Sequence, residues 1–148
     1  MSTPTTRVEP RFKLHWHVLL VHFPVAFFTA SFIFIAAHFM AQATCFELAG
    51  FVMLVLGAAS MAPTTLSGWL TWKHKYHGMK GKLFLNKIGI SIGMLGLSAV
   101  LIVFRLLYRI DLEAAAHDVW HYLYLGGITL LVLGAVAEGY YGGRLNHR

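Results

Sequence analysis

The chain has 148 residues, of which 57% are hydrophobic and 12% charged, and it carries a formal net charge of +6. The charged share is about half that of an ordinary soluble domain, which excludes a disordered chain and a water-soluble globule and points to an integral membrane protein. The excess of twelve Lys and Arg over six Asp and Glu then reads as topology and contact with anionic lipid, not as nucleic-acid binding, and the single cysteine, Cys45, excludes an intrachain disulfide or CxxC redox chemistry.

Residues 1–12, with Pro, Thr and Arg, read as a short mobile cytoplasmic tail ahead of one transmembrane domain over 13–148. A helix needs about 20 mostly apolar residues to cross a bilayer. No Asp, Glu, Lys or Arg lies between Lys13 and Glu47, which predicts a first helix over 16–40; its length, Pro24 and large aromatics do not fit a cleaved signal segment. A second helix is predicted over 48–72, a third over 83–107 and a fourth over 117–141. Connections are short, so sequential helices should be antiparallel neighbours. The expected fold class is all-α, a four-helix membrane bundle.

Small residues suggest how the helices meet. Gly89 and Gly93 form a GxxxG pair in the third helix with Gly96 one turn on, and Gly126, Gly127 and Gly134 lie in the fourth. Such positions let backbones approach closely in lipid; they read first as packing within the bundle and second as the face of a homo-oligomer. Pro24 releases the carbonyl of Leu20 and Pro63 that of Ala59. Paired kinks on one side would open space for a ligand, although proline is also common in membrane helices without one.

Positive charge sets the orientation. Arg7, Arg11 and Lys13 precede the first helix, Lys73, Lys75, Lys80, Lys82 and Lys87 surround the second connection, and Arg144 and Arg148 close the chain. The other side has Arg105 and Arg109 with Glu47, Asp111, Glu113 and Asp118. By the positive-inside rule both termini are cytoplasmic.

Three motifs carry a family resemblance that spans nearly the whole chain. They are His17-Val-Leu-Leu-Val-His22-Phe-Pro24, the His77-Gly-Met-Lys-Gly81 segment after the second helix, and Gly139-Tyr-Tyr-Gly-Gly143-Arg-Leu145 near the end. The first resembles the HPxLVHFP-type opening, and the last the terminal GGxL signature, of a bacterial four-helix membrane family, the domain of unknown function 2231. Trp16 departs from the family pattern. Relatives that carry cytochrome c-like or Rieske-like partners imply an electron-transfer setting, by analogy of fold.

Nine histidines in so apolar a chain call for explanation, because ionisable groups in a bilayer are costly. With this topology His17, His22 and His77 belong to the cytoplasmic half, and His38, His117 and His121 to the outer half. His22 and His38 lie about 24 Å apart along an ideal helix and cannot serve one site. Axial ligation of haem iron takes imidazoles from facing helices, an apolar slot and cations for the propionates. The outer group offers His38 with His121, or His117, and places Arg105 and Arg109 for the propionates. The inner group offers His22, or His17, with His77. Glu138 in the fourth helix reads as a proton relay toward a quinone, or as half of a structural pair with Lys87, His22 or His77. The aromatics near the span ends fit an interfacial belt, and His117 with His121 at i,i+4 lacks the further ligands of a zinc site. No P-loop, GxSxG or HExxH occurs, so nucleotide binding and standard hydrolase chemistry have no support.

The expected function is cytochrome b-like electron transfer through one or two haem b groups, linking a quinone pool to a cytochrome or iron–sulfur partner. The competing readings are a non-catalytic membrane subunit or scaffold, and a small-solute or ion permease; four helices without clear inverted repeats weigh against the last.

Overall fold

The computed structural model describes residues 16–75, 82–108 and 119–146. These form α1 (Trp16–Ala41), α2 (Thr44–Lys75), α3 (Lys82–Tyr108) and α4 (Val119–Asn146), with no strand among the described residues. Each helix holds a stretch long and apolar enough to cross a membrane: Leu19–Ala41, Thr44–Leu70, Leu85–Leu107 and Val119–Gly143. α4 runs on to Asn146 rather than 141, and α2 begins at Thr44 rather than at 48 and so takes Glu47 into its first turn.

The helices form a square. α1 packs on α2 and α4, and α3 packs on α4 and α2, with no contact across either diagonal among the described residues. One end carries the tight α1–α2 turn and is called here the turn end; the opposite end, where α1 begins and α4 finishes, is the terminal end. Large apolar side chains such as Ile33, Leu66, Ile92, Val100, Leu123 and Val136 point outward. That surface suits lipid, in which a helix can be apolar all round. The interior mixes a core of Phe28, Ile35, Leu54, Ile128 and Leu131 with buried polar groups, including Glu47, Glu138, His38 and His121.

Both hairpins pack by one plan. In α1–α2, Phe28 fills the hollow at Gly57 and Ile35 the hollow at Gly50; an added Cβ would lie 2.6 Å from a side-chain carbon in each case. In α3–α4, Met94 sits at Gly134 and Leu101 at Gly127, where an added Cβ would meet side-chain carbon at 2.9 and 2.5 Å. Knobs and hollows recur every seven residues on both members of each pair, the spacing that keeps one seam facing its partner. The GxxxG stripe of α3 does not take part. Gly89, Gly93 and Gly96 have nothing within 4 Å of an added Cβ, which corrects their reading as packing positions inside the bundle.

The prolines do not break their helices. The Leu20 carbonyl released by Pro24 accepts a hydrogen bond from Thr64 Oγ1 of α2 at 3.1 Å. The same hydroxyl lies 2.8 Å from the Ser60 carbonyl, so its one proton is shared between the two carbonyls, partly replacing the bond that the missing N–H cannot make. Met61, 2% exposed, fills the core beside this level.

Candidate functional site

Four helices bring polar side chains together at the turn end. α1 stops at Ala41 because Gln42 adopts a left-handed backbone conformation, φ 49°, while its N–H still bonds the His38 carbonyl at 2.7 Å. His38 folds over this turn, and its Nδ1 lies 3.0 Å from the Ala43 carbonyl oxygen. A carbonyl only accepts, so Nδ1 carries the proton and Nε2 keeps its lone pair. This is the hydrogen-bonded tautomer that metal-binding histidines use.

His121, in the first turn of α4, stands against it. The two ring centres are 6.3 Å apart with planes 27° from parallel, and both residues are 5% exposed. Phe39 meets the His121 ring edge-on at 6.3 Å and Tyr122 at 5.3 Å. The two rings are close enough to be candidate donors to one ligand. Among the described residues no cluster of three or more His, Cys, Asp or Glu could hold a metal, so a four-ligand zinc centre has no basis there.

At the same end lies a buried ion pair. Arg105 of α3 donates from Nε to Glu47 Oε1 at 2.5 Å and from Nη2 to Oε2 at 2.8 Å. The fork is bidentate, the strongest form of this contact, and the guanidinium lies 5.0 Å from the Phe51 ring centre. Tyr124, one turn along α4 from His121, is 2% exposed and within electrostatic reach of both charges. Its ring stacks on Phe104 at 6.5 Å, and Phe104 meets Trp120 at 5.9 Å.

The structure thus brings His38, His121 and Arg105 to one end, and commits Arg105 to Glu47 rather than leaving it open to a propionate. Arg109, His117 and His77 lie outside the described residues. His17 is in α1, but its side chain is not among those described. His22 is exposed on α1. Glu138 is buried at 7% exposure near the terminal end, hydrogen-bonded to Ser91 of α3. Two members of the turn-end cluster, Glu47 and Tyr124, escape sequence reasoning. Glu47 lies three residues into α2 and Arg105 three residues from the end of α3, so equal depth on antiparallel neighbours was the available signal.

One comparison bears on identity. The family model described as "Predicted membrane protein (DUF2231)" matches residues 14–148. The chain belongs to this family. No curated protein and no solved structure matches it. Membership fixes a membrane protein of the DUF2231 family and carries no activity with it, so function has to be argued from the turn-end residues.

Proposed function

We propose that this DUF2231 protein is a cytochrome b-like electron carrier, in which His38 and His121 at the turn end are the residues that would hold one haem b. The observation that carries the reading is the pair of buried imidazoles from α1 and α4, 6.3 Å between ring centres, with His38 fixed in the tautomer that leaves Nε2 available. Bound haem would supply a one-electron couple within the bundle.

The protein's own residues do the rest. The Ala43 carbonyl orients His38, and Phe39 packs edge-on against His121. The Glu47–Arg105 pair keeps a fixed dipole beside the site with its charges balanced. By the excess of Lys and Arg around the terminal end, the termini are cytoplasmic and the haem faces the outer side, where a cytochrome or iron–sulfur partner would exchange electrons; a quinone is the membrane-soluble partner. The proposal keeps one haem rather than two because His22 is exposed.

Titration of the purified chain with haemin in detergent tests this. Wild type should saturate at one haem per chain, with quenching of the neighbouring Trp120 fluorescence. His38→Ala and His121→Ala should each lose saturable binding and remain helical. Equal binding by both variants would overturn the assignment.

A further inference from the structure

Two carboxyl groups are buried in the spans, and they are balanced differently. Glu47 has the Arg105 guanidinium. Glu138, inside the span Val119–Gly143, has the Ser91 hydroxyl and, among the described residues, no ion-pair partner. A lone carboxylate out of water is expensive unless a cation or a proton neutralises it. A hydroxyl satisfies one oxygen without supplying charge, so the Ser91 contact alone does not balance a carboxylate at this position.

Titratable side chains flank Glu138 toward the terminal end. One turn toward the terminal end, the Lys87 ammonium lies 3.5 Å from where a Cβ on Gly142 would be. Glycine there leaves room for the ammonium to reach down the α3–α4 groove. The register set by the His38–His121 contact brings the His22 turn of α1 to the depth of Glu138, and Tyr141 follows on α4 itself. In the other direction the core is closed. Phe28, Leu54, Met94, Ile128 and Leu131 are each 5% exposed or less. The two buried serines on that path, Ser31 and Ser98, donate to the backbone carbonyls of Gly50 and Leu95.

We propose that Glu138, with Ser91, is a proton-exchange site that opens to the terminal end of the bundle and is closed to the turn end. Glu138 releases its carboxyl proton to water or an acceptor on that side and regains one from the same side; no electron moves in this step. The site needs no cofactor, so it stands or falls separately from the haem reading. Where a quinone is reduced at this end, it is placed to provide the protons.

The test uses the whole protein in lipid vesicles with dicyclohexylcarbodiimide. A protonated carboxylic acid adds across a C=N bond of this apolar reagent, and the O-acylisourea formed rearranges by O-to-N acyl transfer to a stable N-acylurea, with no leaving group. Mass spectrometry should find the adduct on the Glu138 peptide and none on Glu47, and Glu138→Gln should lose it. Labelling should accelerate severalfold when the terminal-side solution is acidified, with sidedness read from a C-terminal tag, and should ignore the turn-side pH. An unmodified Glu138 in wild type, equal labelling of Glu47, or a rate that follows the turn-side pH would each overturn the proposal. Colourless protein that still labels Glu138 would leave it standing while removing the haem.

Discussion

At the scale of single residues, the Glu47–Arg105 pair makes the sharpest statement about stability. Replacing Arg105 with Ala strands a carboxylate that is 2% exposed, and breaking a buried pair from one side costs about 3–5 kcal/mol. The double variant Glu47→Gln with Arg105→Met removes both charges and should regain most of that loss. Unfolding in mixed micelles, followed by circular dichroism, reads the difference; an Arg105→Ala protein as stable as wild type would mean that the pair is solvated. The pairing was half legible in the sequence. Both charges were visible on the same side, but Glu47 read as a connection residue because the second helix was expected to start after it. Arg105 read as a propionate ligand because its nearest cation in sequence, Arg109, suggested a basic pair, whereas the carboxylate that holds it comes from another helix. Which side chains meet across a bundle depends on the azimuth of each helix, and a helix that is apolar nearly all round leaves that azimuth unmarked. The His38–His121 juxtaposition was easier to read, since both positions fall at one depth on helices that a closed square makes adjacent.

At the scale of elements, the two hairpins share a seam of large side chains set into glycine hollows, and the glycines divide into those that are filled and those that are open. Gly57→Ala places a methyl 2.6 Å from the Phe28 ring, and overpacking of this kind costs about 1–3 kcal/mol. Gly93→Ala meets nothing within 4 Å and should be neutral or stabilise α3 by up to about 1 kcal/mol through helix propensity. Thermal unfolding of the two variants side by side checks the division; the reverse order would place the seam on the wrong helix face. The four helices were legible because charge-free stretches of bilayer length leave no other solution. The seam was not. GxxxG drew attention to α3, but the close contacts use glycines seven residues apart in α2 and α4, a spacing that stands out only once the knobs opposite them are known.

At the scale of the whole molecule, ionisable groups are buried at each end of the interior, and the buried serines between them are bonded to backbone carbonyls. Among the described residues the turn end buries two imidazoles, an ion pair and a tyrosine, and the terminal end the Glu138 carboxyl beside the Ser91 hydroxyl. Membrane orientation decides what each end can meet. The positive-inside rule predicts that a reporter fused at His147 is cytoplasmic and one inserted at Ala115 is on the opposite face. A reporter pair with the reverse activities would turn the haem toward the cytoplasm and move the Glu138 proton exchange to the outer solution. The central claim, that His38 and His121 hold a haem, is tested most directly by the absorption spectrum of the protein as isolated from haem-replete cells. The account predicts one haem per chain with reduced-minus-oxidised bands of a six-coordinate cytochrome b, lost in both His38→Ala and His121→Ala. A wild type without pigment, or pigment retained in both variants, would contradict it.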